Sequence, residues 1–272
     1  AMVAYGYQAK RRHYDGKSMY LHNPLPNLST AENFLRMIRA DKNYDKLEAE
    51  LLDLALILHA EHGGGNNSSL TVHVVSSADT DTYSAIGAAV GSLKGRRHGG
   101  ANMKVMEMMD DLKANVSDWA SEKEVGDYLR KILRKEAFDR SGLVYGQGHA
   151  VYTISDPRAT LLREKARKLA AVKKCSDEFD LYCMIERIFP GIFEAEKGAG
   201  KKICTNVDFY SGFVYSMLGI PRELYTPIFA ISRIAGWAAH RLEENISGGR
   251  IYRPAFKQVG DLREYIKLDD RH

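Results

Sequence analysis

Apolar residues recur at the spacing of an α-helix along almost the whole chain, and this pattern restricts the fold more than any other feature. Leu47, Leu51 and Leu58 lie on one face of a helix predicted over residues 44–62, and similar stripes recur up to a helix predicted over 225–243. Only residues 71–75 and 143–145 are short runs that favour β-strands. The sequence therefore predicts an all-α fold with minor β structure.

The chain contains one candidate linker between domains. A helix is predicted to end at Phe189, because Pro190 lacks a backbone N–H and clashes with the preceding turn of a helix. The charged, glycine-containing residues 191–202 follow this predicted helix end. The predicted organisation is a large helical domain over residues 1–116 and 203–272, with a smaller helical domain over 117–202 inserted between its two parts.

Composition excludes several classes of protein. Of the 272 residues 44% are hydrophobic, which is enough for a sizeable core and argues against global disorder. The formal net charge of +4 does not by itself indicate nucleic-acid binding and suits an anionic small molecule equally well. The three cysteines match no zinc or redox spacing, and their odd number argues against a disulfide framework. A reducing, cytoplasmic setting is predicted.

The sequence shows no signal for a membrane. No apolar run approaches the roughly 20 residues that a membrane span requires, so no membrane partner is predicted. The first residues lack a signal-peptide pattern and resemble the middle of an apolar helix. This pattern predicts that further N-terminal sequence precedes them in the natural protein.

Three glycine-rich segments carry titratable side chains. His98 lies between Gly95 and Gly100, His149 follows Gly148, and Asp208 lies four residues before Gly212. Glycine lets a backbone approach a ligand closely and allows unusual dihedral angles. Two imidazoles and a carboxylate in such settings indicate acid–base chemistry near neutral pH. The structural alternatives are a helix N-cap for Asp208 and a turn-filling residue at a helix start for His98.

Arg233 stands in an otherwise apolar helical stretch, where an unpaired cation is costly. Its sequence setting predicts that something anionic meets the guanidinium group. That partner is either an anionic ligand or an internal glutamate or aspartate.

These segments, taken with three others in a fixed order, resemble the citrate synthase family, including its members that form 2-methylcitrate. The resemblance runs from near Tyr5 to near Pro254, and six motifs in the family's order are far more specific than any single one. The family's N-terminal helices have no counterpart in this chain. The six motifs are His59-Ala60-Glu61-His62 with Asn66, Ser68 and Ser69, His98-Gly99-Gly100-Ala101-Asn102, Gly148-His149 to Asp156-Pro157-Arg158, Asn206-Val207-Asp208 to Ser211-Gly212, Ile231-Ser232-Arg233 to Trp237, and Arg250-Ile251-Tyr252-Arg253-Pro254.

The resemblance implies an acyltransferase of the tricarboxylic acid cycle. Such an enzyme condenses acetyl-CoA with oxaloacetate and hydrolyses the thioester, which gives citrate and CoA. Asp208 would then be the base that deprotonates the acetyl group, and His98 would donate a hydrogen bond to the thioester oxygen. His149 would polarise and protonate the oxaloacetate carbonyl.

The resemblance also implies a pocket for the oxaloacetate dianion and a homodimer. Arg158, Arg233 and Arg253 would bind the carboxylates with help from His62, and Arg253 would reach the site of the neighbouring subunit. Two lysines, Lys201 and Lys202, are candidate contacts for the CoA phosphates, although a solvated lysine pair is the ordinary interpretation. Acetyl-CoA is a cosubstrate, and no permanently bound cofactor is expected.

Three alternatives remain open. His59 and His62 are spaced as a possible metal-ligand pair, but no third ligand is evident, so no metal is predicted. The protein could be a non-catalytic, helical dimeric relative of the enzymes. It could also prefer propionyl-CoA and act as a 2-methylcitrate synthase, because one methylene changes recognition by only about 1–3 kcal/mol.

Overall fold

The computed structural model describes residues 1–95, 98–149, 152–257, 259–261 and 263–271, and helices account for all of its regular elements. Two 3₁₀ turns cover Arg222–Leu224 and Leu268–Asp270. None of the described helices is long and apolar enough to cross a membrane. The α-helices are α1 (Met2–Asp15), α2 (Thr30–Ile38), α3 (Lys46–His59), α4 (Asn67–Ser76), α5 (Thr82–Leu93), α6 (Ala101–Asn115), α7 (Glu122–Leu133), α8 (Pro157–Val172), α9 (Ser176–Lys197), α10 (Val207–Met217) and α11 (Tyr225–Ser247).

Side-chain caps define where several helices begin. The pattern of Ser29 followed by Glu32 predicts a capping box, and the structure confirms it at the start of α2. Pro157 is predicted to open a helix and does so at the first position of α8, where Asp156 is the N-cap. These caps satisfy backbone N–H groups that the first turn of a helix leaves without a partner.

The all-α prediction is confirmed, but the minor β structure is not found among the described residues. Residues 71–75 lie inside α4, which begins where the Asn66 side chain accepts a hydrogen bond from the Ser69 N–H at 3.0 Å. Val72 of this helix is fully buried in a small core with Trp237. The cap and this packing outweigh the β-propensity of the valines. Residues 143–145 form no strand, and the nearest β feature is an isolated bridge between Gln147 and Thr205.

The prediction of a helix end at Phe189 is wrong. Helix α9 continues through Pro190 to Lys197, so the first part of the predicted linker is helical. Phe189 and Ile192 on either side of the proline are both buried in the main core, and this burial compensates for the hydrogen bond that proline removes. The proposed domain division at residues 117 and 202 stays a prediction.

Four helix segments bring their polar residues towards one region of the fold. Helix α3 packs on α8, α10 and α11, and α10 also packs on α6 and α8. Gly236 lets α11 approach the end of α3 closely, because a Cβ atom there would collide with Glu61 and the Ala60 carbonyl. The Gly236 N–H donates to that carbonyl at 3.1 Å. The end of α3, the starts of α8 and α10 and the middle of α11 therefore surround one space.

Candidate functional site

His62, His149 and Arg158 contact one another beside this space, although they come from distant parts of the sequence. The Nε2 atoms of His62 and His149 are 3.0 Å apart. The Nη2 atom of Arg158 lies 3.3 Å from the same His149 nitrogen. Burial, followed by the charge of Arg158, lowers the pKa of His62, so this ring is neutral near pH 7. The cluster offers nitrogen donors to an oxygen-rich ligand.

Asp156 holds Arg158 in place and ties two helix starts together. Its carboxylate accepts from Arg158 Nε at 3.1 Å and Nη2 at 2.8 Å, and its other contacts are the Arg158 and Val207 backbone N–H groups. Burial raises the pKa of Asp156, but the hydrogen bonds and charge of Arg158 lower this pKa by a larger amount. The net pKa is therefore below the usual value, and the carboxylate is ionised. The sequence motif contains Asp156 but does not reveal this orienting role.

The backbone selects the protonation state of His149. The Tyr152 N–H donates to His149 Nδ1 at 3.0 Å, so Nδ1 carries a lone pair. Burial lowers the pKa of His149, and the ring is neutral near pH 7. The single ring proton therefore lies on Nε2, from which it can be donated to His62 Nε2. The 3.3 Å approach of Arg158 Nη2 to this nitrogen is then a contact between two donors and not a hydrogen bond.

His98 and Asp208 line one small cavity on the adjoining side of the space. His98 follows the turn after α5, and its Nε2 atom contacts the Ser68 hydroxyl. Burial, followed by the charge of Arg233, lowers the pKa of His98 and keeps the imidazole neutral near pH 7. A neutral imidazole held by a hydroxyl can act as a hydrogen-bond donor through its other nitrogen.

Asp208 is the second residue of α10 and is not its N-cap, because Asn206 takes that position. The Asn206 side chain accepts from the Asp208 N–H at 3.0 Å, and Asp208 itself is one of the residues that line the cavity. Burial raises the pKa of Asp208, and the charges of Arg158 and Arg233 oppose that shift only partly. A carboxylate with a raised pKa is a stronger base than an exposed one.

Arg233 is buried, with 3% of its surface exposed, and has no carboxylate partner within 4.0 Å among the described residues. Its Nε atom donates to the His59 carbonyl at 2.6 Å, and its guanidinium carbon lies 4.6 Å from the Phe229 ring centre. Of the two partners that the sequence left open, an internal ion pair is therefore not found in the described part of the chain. The buried positive charge stays available to an anionic ligand.

Three buried polar atoms around the cavity have no hydrogen-bond partner within the described structure. They are His59 Nδ1, Asn102 Oδ1 and Tyr215 Oη, and all three residues line the cavity with His98 and Asp208. Buried polar groups are rarely left unpaired unless a ligand or water completes them. Tyr215 lies outside the six sequence motifs, and His59 begins the first motif but has a predicted role only as a possible metal ligand. Their apolar sequence surroundings are the one signal that could have indicated buried polar groups.

Acidification is expected to destabilise the protein through His59. Burial lowers the pKa of His59 from 6.5 to about 3, so below pH 6.5 the unfolded chain takes up a proton that the folded protein does not. Stability therefore falls as the pH decreases through this window, by up to about 1.4 kcal/mol per pH unit from this group. Between about pH 7 and pH 5, we expect the free energy of unfolding of His59→Gln to fall by roughly 2 kcal/mol less than that of the wild type, as measured by urea unfolding.

A matched substitution at the exposed His13 serves as the control for this experiment. His13→Gln should keep the full pH dependence of the wild type. An identical loss of stability in wild type and His59→Gln would contradict the assignment of this dependence to His59.

The remaining predicted site residues do not join the cluster within this single chain. Lys201 and Lys202 are exposed in the loop between α9 and α10, and Arg253 is exposed in the segment after α11. No described third ligand joins His59 and His62 in metal-binding geometry. The structure therefore brings together His62, His98, His149, Arg158, Asp208 and Arg233.

The chain is similar in sequence to known proteins of one family. The sequence profile of the family described as "Citrate synthase, C-terminal domain" matches residues 1–255. The chain is 37% identical to the citrate synthase of Synechocystis sp. over 91% of its own length and 58% of that protein. It is also 37% identical to the 2-methylcitrate synthase of Shewanella oneidensis, over 88% of this chain and 58% of that protein.

A solved structure shows the same fold with ligands bound. It is the ternary complex of citrate synthase from Thermoplasma acidophilum with carboxymethyl coenzyme A and oxaloacetate. The two chains align with a TM-score of 0.78 at 28% identity, over 99% of this chain and 66% of that one. The chain spans about three fifths of the length of the curated relatives that it matches.

Proposed function

This chain belongs to the citrate synthase family, and from that premise we propose that it joins acetyl-CoA to oxaloacetate and hydrolyses the resulting thioester to citrate and CoA. The observation that carries the proposal is the cavity that His98 and Asp208 share, next to the buried Arg233, which no carboxylate of the described residues approaches within 4.0 Å. A base, a hydrogen-bond donor and a fixed positive charge are what this condensation requires.

The first step is removal of a proton from the methyl group of acetyl-CoA. Asp208 takes this proton, and the electron pair moves onto the thioester oxygen. With the Ser68 hydroxyl donating to Nε2, the neutral His98 ring carries its proton on Nδ1 and donates it in a hydrogen bond to that oxygen. General acid–base groups of this kind each contribute roughly 10²–10⁴-fold to the rate.

The second step joins the new carbon nucleophile to the keto carbon of oxaloacetate. His149 polarises the ketone through its Nε2 proton and transfers that proton to the oxygen as the C–C bond forms. The ketone oxygen would replace the present contact between the Nε2 atoms of His62 and His149. Water then cleaves the thioester: its hydroxyl joins the acyl carbon, its proton restores the neutral His149 ring, and the proton held by Asp208 goes to the sulfur, which leaves as the CoA thiol and frees citrate.

The oxaloacetate carboxylates are assigned to the arginines. Arg158 and Arg233 lie at the cluster, and we assign Arg253 to the site of a second subunit in a homodimer, with His62 adding a hydrogen bond. Lys201 and Lys202 stay candidates for the CoA phosphates. A cytoplasmic location likewise stays a prediction.

Propionyl-CoA is the one alternative acyl donor that a specific observation favours. The chain is as similar to a 2-methylcitrate synthase as to a citrate synthase, at 37% identity in each case. The extra methylene of propionyl-CoA requires a change of only about 1–3 kcal/mol in an apolar pocket. Comparison of kcat/KM for the two acyl-CoAs distinguishes the two activities.

Release of CoA thiol tests the proposed function directly. The purified protein is mixed with oxaloacetate and either acyl-CoA, and free thiol is followed with a chromogenic disulfide reagent. Thiol release that requires both substrates supports the proposal. Absence of thiol release from this chain and from a version extended to full family length, both with native circular dichroism, would identify a non-catalytic relative.

A further inference from the structure

A second cluster of titratable residues lies where α4 meets α11, outside the proposed active site. The Nε2 atom of His73 and the Nδ1 atom of His240 face each other at 3.1 Å. The outer nitrogen of each ring contacts a carboxylate, Glu244 at 2.8 Å for His73 and Glu61 at 2.9 Å for His240. Because a carboxylate accepts hydrogen bonds, both outer nitrogens carry the ring protons. Two neutral imidazoles would therefore direct lone pairs at each other.

The charges around this pair favour a bound cation. Glu243 Oε2 lies 3.6 Å from His240 Nδ1, so three carboxylates surround the two rings. In the described ranges, no lysine or arginine forms an ion pair within 4.0 Å with Glu61, Glu243 or Glu244. Glu244 is buried, and a buried carboxylate is costly without compensating positive charge.

We propose that His73, His240 and Glu243 form a binding site for a divalent transition-metal ion of the Zn²⁺ class. One ligand atom from each residue lies within 4.8 Å of the others. His240 Nδ1 lies 3.1 Å from His73 Nε2 and 3.6 Å from Glu243 Oε2. Two ligands at roughly 2.0–2.1 Å from a tetrahedral ion are about 3.3 Å apart, which lies between these two distances. Imidazole and carboxylate ligands suit this ion, and water would complete the fourth position.

The residues behind the ligands fit the same assignment. Glu244 and Glu61 accept the remaining ring protons, which is the usual way in which carboxylates orient metal-binding histidines. Tyr252 in turn donates to Glu244 at 3.0 Å. Both rings are thus held with their free nitrogens towards one point before an ion arrives.

The site is coupled to the loop that follows His62. Gly64 lies against the histidine pair, so that a Cβ atom there would be 3.3 Å from both rings. Glu61 also accepts a hydrogen bond from the Gly63 N–H. An ion held by His73 and His240 would therefore restrain this glycine-rich loop, whose sequence alone indicates unusual freedom.

Direct metal binding tests the proposal without any need for turnover. Untagged protein, stripped with a chelator, is titrated with Zn²⁺ against a chromogenic indicator, and Co²⁺ is added separately to record visible absorption. We expect one Zn²⁺ per chain and an intense tetrahedral Co²⁺ spectrum. His73→Asn and His240→Asn should weaken binding by at least about 100-fold, whereas Glu244→Gln should weaken it by roughly 10–100-fold.

Two further variants keep the test decisive. His13→Gln changes an exposed histidine on α1 and should bind as the wild type does, while Glu243→Gln removes a ligand at the surface without disturbing the core. Weakened binding by folded Glu243→Gln supports the site even if His73→Asn fails to fold. Failure of the wild type to bind Zn²⁺, or equal binding by wild type and the folded ligand variants, would overturn the proposal and leave a shared proton between the rings.

Discussion

Asp208→Asn is expected to lower kcat/KM for the condensation by roughly 10³-fold, because an amide cannot accept the methyl proton. The substitution preserves the shape of the side chain that lines the cavity with His98. Thiol release with saturating oxaloacetate measures the loss. In the wild type, kcat/KM should fall on the acid side as the pH decreases through the raised pKa of Asp208.

The stability of Asp208→Asn provides a second readout with the opposite sign. Burial raises the pKa of Asp208, so the folded protein holds a proton that the unfolded chain releases as the pH increases through this window. Ionisation of Asp208 therefore costs stability at neutral pH, and the neutral asparagine removes that cost. We expect a melting temperature at pH 7 that is equal to or above that of the wild type.

Asp180→Asn is the matched control, because Asp180 is an exposed aspartate on α9. It should retain wild-type activity and stability. Turnover by Asp208→Asn within tenfold of the wild type would show that another group removes the proton.

Arg233→Met is expected to raise KM for oxaloacetate by about 100-fold without lowering the melting temperature. The guanidinium group is buried and forms no ion pair within 4.0 Å in the described structure, although Glu61 and Asp208 act on its charge from further away. Methionine therefore removes a costly buried charge and retains apolar volume. The lost hydrogen bond to the His59 carbonyl costs only about 1 kcal/mol. Weaker binding together with unchanged or greater stability is typical of a residue that is kept for its ligand.

The same substitution at Arg158 should lower the stability of the protein, unlike Arg233→Met. Arg158→Met leaves the buried carboxylate of Asp156 without its cation, and breaking such a pair costs about 3–5 kcal/mol. Both variants should bind oxaloacetate poorly, but only Arg158→Met should unfold at markedly lower urea concentrations. A similar loss of stability in Arg233→Met would show that Arg233 is a structural residue rather than part of an anion pocket.

Local sequence predicted best where short-range interactions decide the structure. The capping box at Ser29 and the first-position proline at Pro157 depend on neighbouring residues alone, and both are confirmed. Local preference predicted the wrong structure at residues 71–75 and at Pro190. At residues 71–75, burial of Val72 outweighs a β-propensity of about 1 kcal/mol per residue. At Pro190, burial of the neighbouring Phe189 and Ile192 outweighs the hydrogen bond that proline removes.

The sequence by itself determined the helical class, the family and most of the polar residues that meet at the proposed active site. Tertiary structure alone decided which buried charges have partners: Arg158 is paired with Asp156, whereas no described carboxylate pairs with Arg233. It also brought His73 to His240 from 167 positions away. Helical periodicity and helix caps depend on residues that are close together in the sequence. The burial of a charge and the partner that it finds depend on residues that distant segments bring next to it. Burial and pairing can therefore be read only from the packed chain.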